Sequence, residues 1–293
     1  MKTFPYYHVD VFSNEPFSGN GLTIFTGSEA FTKATMQKLT QEMRQFESIF
    51  LQNLSEGKVR AHIFTCEEEL DFAGHPILGA AATLHDLVHP LQEKAEWIFE
   101  LNKKTVTVTT ERKAQSYEAV MNQGTAKFGR VLNTLETAGV LECLGLSMED
   151  LYPGCSPTVV STGLPYLLIP LQRNGFTAKI KVPDFEKRIQ PFGAKFAGIL
   201  EIPTLSIRSG DNKGAVEDIA TGSLAGPIGA YLVKHGFQEP DTLFQLNQGK
   251  NLGRPSQLFV KVGKKNDQLA NVFVGGSVCK IAQGVLYAQP HLL

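Results

Sequence analysis

Two short stretches of the chain share one chemical pattern. Residues 70–84 read LDFAGHPILGAAATL, and residues 216–232 read VEDIATGSLAGPIGAYL. Each places an acid before a small-residue turn that ends in Gly plus a polar residue, and an apolar run of helical length follows. The turn ends, Gly74-His75 and Gly222-Ser223, lie 148 positions apart, about half of the 293 residues. A helix that starts directly after such a turn presents backbone N–H groups and the positive end of its dipole to whatever lies in front of it. Gly lets the backbone turn sharply and approach a ligand. Such a start suits a carboxylate, a phosphate or a developing enolate. His75 adds an imidazole that titrates near neutral pH. Asp218 could orient that imidazole, bind a substrate ammonium, or bond its own turn. Ser223 reads as an N-cap and Pro76 as a first-turn proline. Glu47 stands in FESIF with Phe46, Ile49 and Phe50, and apolar neighbours raise a carboxyl toward the range a proton shuttle needs. The same glutamate also reads as a solvated residue at a helix end. For the two turns the plainer alternative is a pair of capped core helices, because PILGAAATLHDLV and LAGPIGAYLV are apolar nearly all round.

Other chemistries find no support in the sequence. TGSLAGPIG lacks the G-K-[ST] of a phosphate-binding loop, and no G-x-G-x-x-G follows a strand. No H-E-x-x-H is present. His85 and His89 are four apart in LHDLVH without a third partner, which points to an exposed helix end rather than a metal site; the reading holds no metal. GCSP is not a nucleophile elbow. With 42% apolar and 19% charged residues and a net charge of -1, the chain has no electrostatic footprint for nucleic acid or anionic membrane. The four cysteines are scattered and read as reduced thiols of a cytoplasmic protein. The start, MKTFPYYHVD, has no apolar core of a secretory signal, and no apolar run reaches the ~18 residues of a membrane span.

The elements that must hold these residues are mostly short strands. YYHVDVF, LTIF, ESIFLQ and KVRAHIFT read as strands, with a helix from Phe31. AEWIFELNKKTVTVTTER is β-rich. QSYEAVMNQGTAKFGR, residues 115–130, reads as a polar crossover between halves. TLETAGVLECLGL reads as a helix, TVVSTGLPYLLIPL as turn and strand, and FAGILEI, TLSIRSG, SQLFVKVGK and ANVFVGGSVCKIAQGVLYA as further strands. Few helices and many strands argue for an α+β fold. Repeats sharpen it. Gly-Leu at 21–22 echoes 163–164, FESIFL echoes FAGIL with a shift of 150, and Arg60 echoes Arg208 with the same shift of 148 as the turn tips. The chain thus reads as two similar, duplicated domains, residues 1–123 completed by a closing strand at 283–293, and residues 124–282. Glu47 falls opposite Ala197, so the second copy lacks the carboxyl.

At these residues the sequence resembles the phenazine-biosynthesis isomerase family, within the diaminopimelate-epimerase-like fold. VDVFSNEPFSGNGLTIF, ESIFL, ELDFAGHPILGAAATL, STGLPYLLIPL, EDIATGSLAG, GRPSQLFV and VFVGGSVCKIAQGVL match the family's motifs in order across nearly the whole chain. The resemblance implies two domains of like fold, each a β-barrel or roll wrapped around a central helix, with an active-site cleft between them. It implies a homodimeric isomerase without a cofactor. By motif, Glu47 becomes the general acid/base. His75 and Asp218 bind and polarise the substrate. Ser223 and the Gly74 and Gly222 N–H groups hold its anionic part, and Asn20 lines the same cleft. The family commonly has Asn-Leu-Ser before the glutamate, Gly-Asn-Pro near the start and Pro before Phe-Ala-Gly-His; here these are Arg44-Gln45-Phe46, Gly19-Asn20-Gly21 and Asp71. Related racemases place a cysteine at each helix start, where this chain has His75 and Ser223.

Two functions follow as expectations. One is an isomerase that moves a proton within a small, cyclic or amino-acid-like carboxylate, with Glu47 as the single base. The other is a non-catalytic carboxylate-binding homodimer that makes no use of Glu47. A racemase needs a second base, and Ala197 and Ser223 offer none.

Overall fold

The computed structural model describes residues 2–55, 57–266 and 268–288. The chain divides into two units, one comprising residues up to Asn122 with those from Gly275 onward, the other Gln123–Val274. The first unit holds β1 (Lys2–Val11), β2 (Asn20–Phe25), α1 (Lys33–Met43), β3 (Glu47–Ser55), β4 (Lys58–Thr65), β5 (Glu69–Leu70), α2 (Gly74–Val88), β6 (Lys94–Glu100), β7 (Thr105–Arg112) and most of β8 (Tyr117–Thr125). The second holds β9 (Lys127–Val131), α3 (Thr134–Cys143), β10 (Thr158–Ser161), β11 (Pro165–Leu171), α4 (Phe185–Ile189), β12 (Phe196–Glu201), β13 (Ser206–Arg208), α5 (Gly222–Lys234), β14 (Leu243–Gln248) and β15 (Ser256–Lys265). The long β16 (Gln268–Ala288) runs from the second unit into the first. Of the closing strand read at 283–293, the part beyond Ala288 lies outside the described residues.

In the first unit β1 and β2 pair antiparallel, β2 and β3 parallel, β3 and β4 antiparallel, β4 and β6 parallel, and β6 and β7 antiparallel. β7 pairs with β8, β16 follows, and β16 returns antiparallel onto β1, which closes an eight-stranded barrel. The alternation that makes β7 a strand is plain in TVTVTTER, where Val106, Val108 and Thr110 are buried and the residues between them face outward or lie half-buried. In the second unit the order from β10 to β15 repeats the same alternation of antiparallel and parallel pairs. The chain is therefore a mixed fold with many strands and few helices. Among the described residues no helix is long and apolar enough to cross a membrane.

α2 is buried from Gly74 to His85 and packs against β1, β2, β3, β6 and β7. α5 is buried from Gly222 to Leu232 and packs against β10, β11 and β15. Helices apolar on every side need such surroundings. Contact is close: a Cβ on Gly79 would stand 2.6 Å from Leu22 Cδ2 and 3.0 Å from Val11 Cγ2. Gly79→Ala is expected to destabilise the chain by about 1 kcal/mol, overpacking of about 2 kcal/mol outweighing about 1 kcal/mol of helix propensity, as a lowered urea midpoint.

Residues 115–130 do carry the passage between the halves, the division falling between Asn122 and Gln123. The passage is made of strand, β8 and β9, and Tyr117, Ala119, Met121 and Gln123 alternate inward along β8. The structure corrects two readings. His85 is not at an exposed helix end. It is fully buried, with Nδ1 2.8 Å from Thr110 Oγ1 and Nε2 3.1 Å from the Gln92 carbonyl oxygen. The repeat landmarks also shift. Glu47 pairs with Leu22 and Ala197 with Leu167, while Ile49 pairs with Ile63 and Ile199 with Arg208. If Glu47 is level with Ala197, then Arg208 is level with Ile63, and the Arg60 and Gly-Leu echoes lie three positions out of register.

Candidate active site

The first unit gathers Asn20, Glu47 and His75. Asn20 is the first residue of β2, Glu47 the first of β3, and His75 the second of α2. All three are buried, Glu47 at 6% and His75 at 3% exposure, so Glu47 is not a solvated helix-end glutamate. Glu47 Oε2 lies 3.3 Å from His75 Nδ1, and Asn20 Nδ2 lies 3.4 Å from the same nitrogen. His75 Nε2, also buried, has no hydrogen-bond partner among the described residues. A buried polar atom without a partner is costly and marks a place for a ligand. Burial pushes the His75 pKa down from 6.5 to about 3, so the ring is neutral near pH 7. Glu47 Oε2 is within ion-pair range of the ring but makes no hydrogen bond to it. The partner of Nδ1 is the Asn20 amide nitrogen, a donor, so Nδ1 accepts and the proton of the neutral ring lies on Nε2. Nε2–H can thus donate to a ligand. No side chain caps α2 at Ala73.

The neighbouring departures from the family pattern are coupled. A Cβ on Gly21 would stand 2.5 Å from Gln45 Oε1. The Gln45 side chain would have to swing aside to admit a side chain at position 21. Asp71 holds Lys103 at 2.7 Å.

The second unit gathers Asp218, Gly222 and Ser223, with partners that have no local sequence signal. Asp218, Thr221 and Gln248 are all buried. Gln248 Oε1 accepts the Thr221 N–H at 2.9 Å, which fixes the amide orientation. Its Nε2 then donates to the Asp218 carbonyl at 2.8 Å and to Thr221 Oγ1 at 3.0 Å. The Thr221 hydroxyl, accepting there, sends its own hydrogen to Asp218 Oδ2 at 2.6 Å. Asp218 Oδ2 is therefore an acceptor. Upstream, Arg208 clamps Glu217 with two bonds of 2.8 and 2.6 Å and fixes the loop that ends at Asp218. Gln248→Leu strands the Thr221 N–H and the Asp218 carbonyl and is expected to cost about 2 kcal/mol in urea unfolding.

Ser223 is not the N-cap. α5 begins at Gly222 with Thr221 as the cap residue, and no side chain caps it. Ser223 is the second helical residue, and its Oγ lies 2.8 Å from the buried Tyr166 hydroxyl. Gln123 Nε2 donates to the Gly222 carbonyl at 2.9 Å, and Gln123 Oε1 accepts from Thr162 at 2.7 Å. A Cβ on Gly226 would stand 2.1 Å from Gln123 Oε1, so only Gly fits there. Ala197 forms part of the wall of a cavity of about 420 Å³ within this unit, with Phe185, Ile199, Arg208 and the loop from Ser209 to Glu217.

A buried carboxyl and a neutral imidazole thus stand together at an uncapped helix start in this strand-rich fold. A solved structure of a predicted epimerase from Pseudomonas aeruginosa matches it with a TM-score of 0.92 and 42% identity, over 98% of this chain and 100% of that one. The model of the phenazine biosynthesis-like protein family matches residues 9–284. The trans-2,3-dihydro-3-hydroxyanthranilate isomerase of Pseudomonas chlororaphis is 30% identical, over 96% of this chain and 98% of that protein. The uncharacterized isomerase YddE of Salmonella typhimurium is 30% identical, over 92% and 94%. The chain belongs to the phenazine biosynthesis-like family, and it is an isomerase.

Proposed function

We propose that this isomerase moves a proton within a small, cyclic or amino-acid-like carboxylate by single-base chemistry that needs no cofactor. The observation that carries the reading is the buried Glu47–His75 pair, with His75 Nε2 unpaired at the start of α2. Glu47 takes the proton from one substrate carbon and returns it to another. His75 Nε2 polarises the substrate. Asn20 and the Gly74 N–H complete this cluster. Asp218 binds the substrate's ammonium or hydroxyl. The Gly222 N–H and Ser223 hold the carboxylate, helped by the positive end of α5. A related protein named for a dihydro-hydroxyanthranilate substrate supports a ring carrying a carboxylate and an amine.

The non-catalytic binding reading needed Glu47 turned to solvent, and its 6% exposure gives that no support. A racemase needs a second base, and if the two units correspond with Ala197 in the place of Glu47, the second unit supplies none there. The matching order of strand pairings in the two units supports their origin by duplication, with α2 and α5 as corresponding helices. The homodimer and the cytoplasmic location that the resemblance implies belong to the same proposal. Light scattering on the purified chain reads the first. The function is tested by solvent exchange: candidate amino-enol acids incubated in D2O gain deuterium with the wild-type chain and not with Glu47→Gln.

A further inference from the structure

The cavity of about 420 Å³ in the second unit lies beside β12, and Ala197 and Ile199 both line it. Gly198, between them, faces the other way: a Cβ there would stand 2.3 Å from Leu224 Cδ1, on α5. Successive residues of a strand face opposite sides. The cavity is therefore on the side of β12 turned away from α5, and none of Asp218, Thr221, Ser223 and Gln248 lines it. Its floor belongs to the apolar core beneath α3 and α4, where Leu144, Phe185 and Ile199 are buried and Ile180 and Ala197 pack against them. Its roof is the loop from Ser209 to Glu217. That loop is braced from within. Gly210 bridges Glu217 antiparallel, the Asp211 N–H donates to the Val216 carbonyl at 2.9 Å, and the Asp218 N–H donates to the Ser209 carbonyl at 2.9 Å. Its tip rests on Ile180, where a Cβ on Gly214 would stand 3.1 Å from Ile180 Cβ.

The polar side chains of the lining are engaged by the protein itself. Arg208 holds Glu217 and, through Nη1, the Gly175 and Ala178 carbonyls at 2.5 and 3.1 Å. Asp211 Oδ1 accepts the Ala215 N–H at 2.9 Å, and Oδ2 accepts the Val216 N–H at 3.1 Å. The Ser209 hydroxyl donates to the Ala197 carbonyl at 2.9 Å, and the Asn212 amide to the Lys195 carbonyl at 2.7 Å. Lys179 is exposed to water. The two basic residues of the lining, Lys179 and Arg208, balance the two acidic ones, Asp211 and Glu217. A charged ligand would leave water here without a partner to replace it, whereas an apolar body gains by leaving water. The volume falls within the ~300–1,000 Å³ of small-molecule sites, which are mostly apolar concavities.

We propose that this cavity binds a small uncharged molecule with an apolar body, and that the occupant stiffens the loop that ends at Asp218. An occupant touches floor and roof together, so each opening of the loop must break those contacts. The site lies outside the Glu47–His75 cluster and needs neither residue.

Indole is the probe, titrated into the full chain carrying labelled Ile, Leu and Val methyl groups, with indole-3-carboxylate as its charged counterpart. Indole is expected to shift the methyl signals of Leu144, Ile180, Ile199 and Val216 saturably, and the carboxylate to bind there about tenfold more weakly or not at all. Ala197→Leu, which fills part of the cavity, is expected to weaken indole about tenfold, and the smaller Ala197→Val about threefold. Hydrogen exchange of the Asp211, Ala215 and Val216 amides is expected to slow about threefold or more with indole bound. No saturable shift at these methyls overturns the site, as does indole binding that neither substitution at Ala197 weakens. A carboxylate that binds there as tightly as indole overturns the uncharged class. Saturated methyls with loop amides that exchange as fast as before overturn the stiffening.

Discussion

Glu47→Gln is expected to lower turnover by about 10³-fold or more while leaving the fold and ligand binding in place. Gln has nearly the same shape as Glu and can keep a polar atom beside His75 Nδ1, now 3.3 Å from Glu47 Oε2. It cannot accept and return a proton. His75 cannot replace it, because an imidazole whose pKa burial has pushed to about 3 is a poor base near pH 7. The readout is deuterium gain from D2O by a candidate amino-enol acid, set beside thermal stabilisation by the same acid. Lost exchange with retained stabilisation places Glu47 in the proton transfer. Undiminished exchange sinks the single-base reading. Loss of both would instead mean that the carboxyl is needed to build the site. A single base also confines transfer to one face of the substrate, so deuterium introduced by the wild type should have one configuration.

The parts of this site that the sequence made legible are those whose signal is local. Gly74-His75 and Gly222-Ser223 announce helix starts through glycine beside an apolar run, and both helices begin at the glycine. Glu47 stands out as a carboxyl among aromatic and aliphatic neighbours. What stayed hidden depends on distant partners. Gln248 reaches Thr221 across 27 positions, Tyr166 reaches Ser223 across 57, and Gln123 reaches Gly222 across 99. Nothing near a glutamine in a strand says that it will orient a hydroxyl on an aspartate. Ser223 was misplaced by two positions for the same reason: serine favours an N-cap, but the cap is Thr221 and Tyr166 claims the Ser223 hydroxyl. Residues 115–130 were legible as the passage between the halves but not as strand, because Gln123 is polar yet faces inward and Gly124 interrupts the alternation. His85 looked exposed because His, Asp and His close an apolar helix, yet Thr110 and the Gln92 carbonyl lie where its ring nitrogens need them.

The same buried histidine sets a stability that depends on acid. His75 has a folded pKa of about 3, against 6.5 for an exposed imidazole. Between these values the unfolded chain binds a proton that the folded chain refuses. Unfolding is therefore favoured as pH falls through 6.5, by about 1.4 kcal/mol per unit and up to about 4–5 kcal/mol near pH 3. His85 and His235 are also held below the usual imidazole range by burial, and each adds a contribution of the same sign. At lower pH a carboxylate joins them. Burial works to raise Glu69, but Lys33, His62 and Asn102 outweigh it and bring the carboxyl to about 2, so its contribution is lost as pH falls below its unfolded 4.5. The window from about pH 6.5 to 4.5 is thus free of the Glu69 effect, and the other two histidines cancel when wild type is compared with His75→Gln. Over these two units His75 should account for about 2–3 kcal/mol of lost stability that the variant does not lose. Urea unfolding at a series of pH values measures it. The two curves should converge as pH falls, because a neutral amide has no proton to take up on unfolding. Parallel curves would mean that His75 takes up its proton alike in the folded and unfolded chains, and burial would then not be holding the ring neutral below pH 6.5.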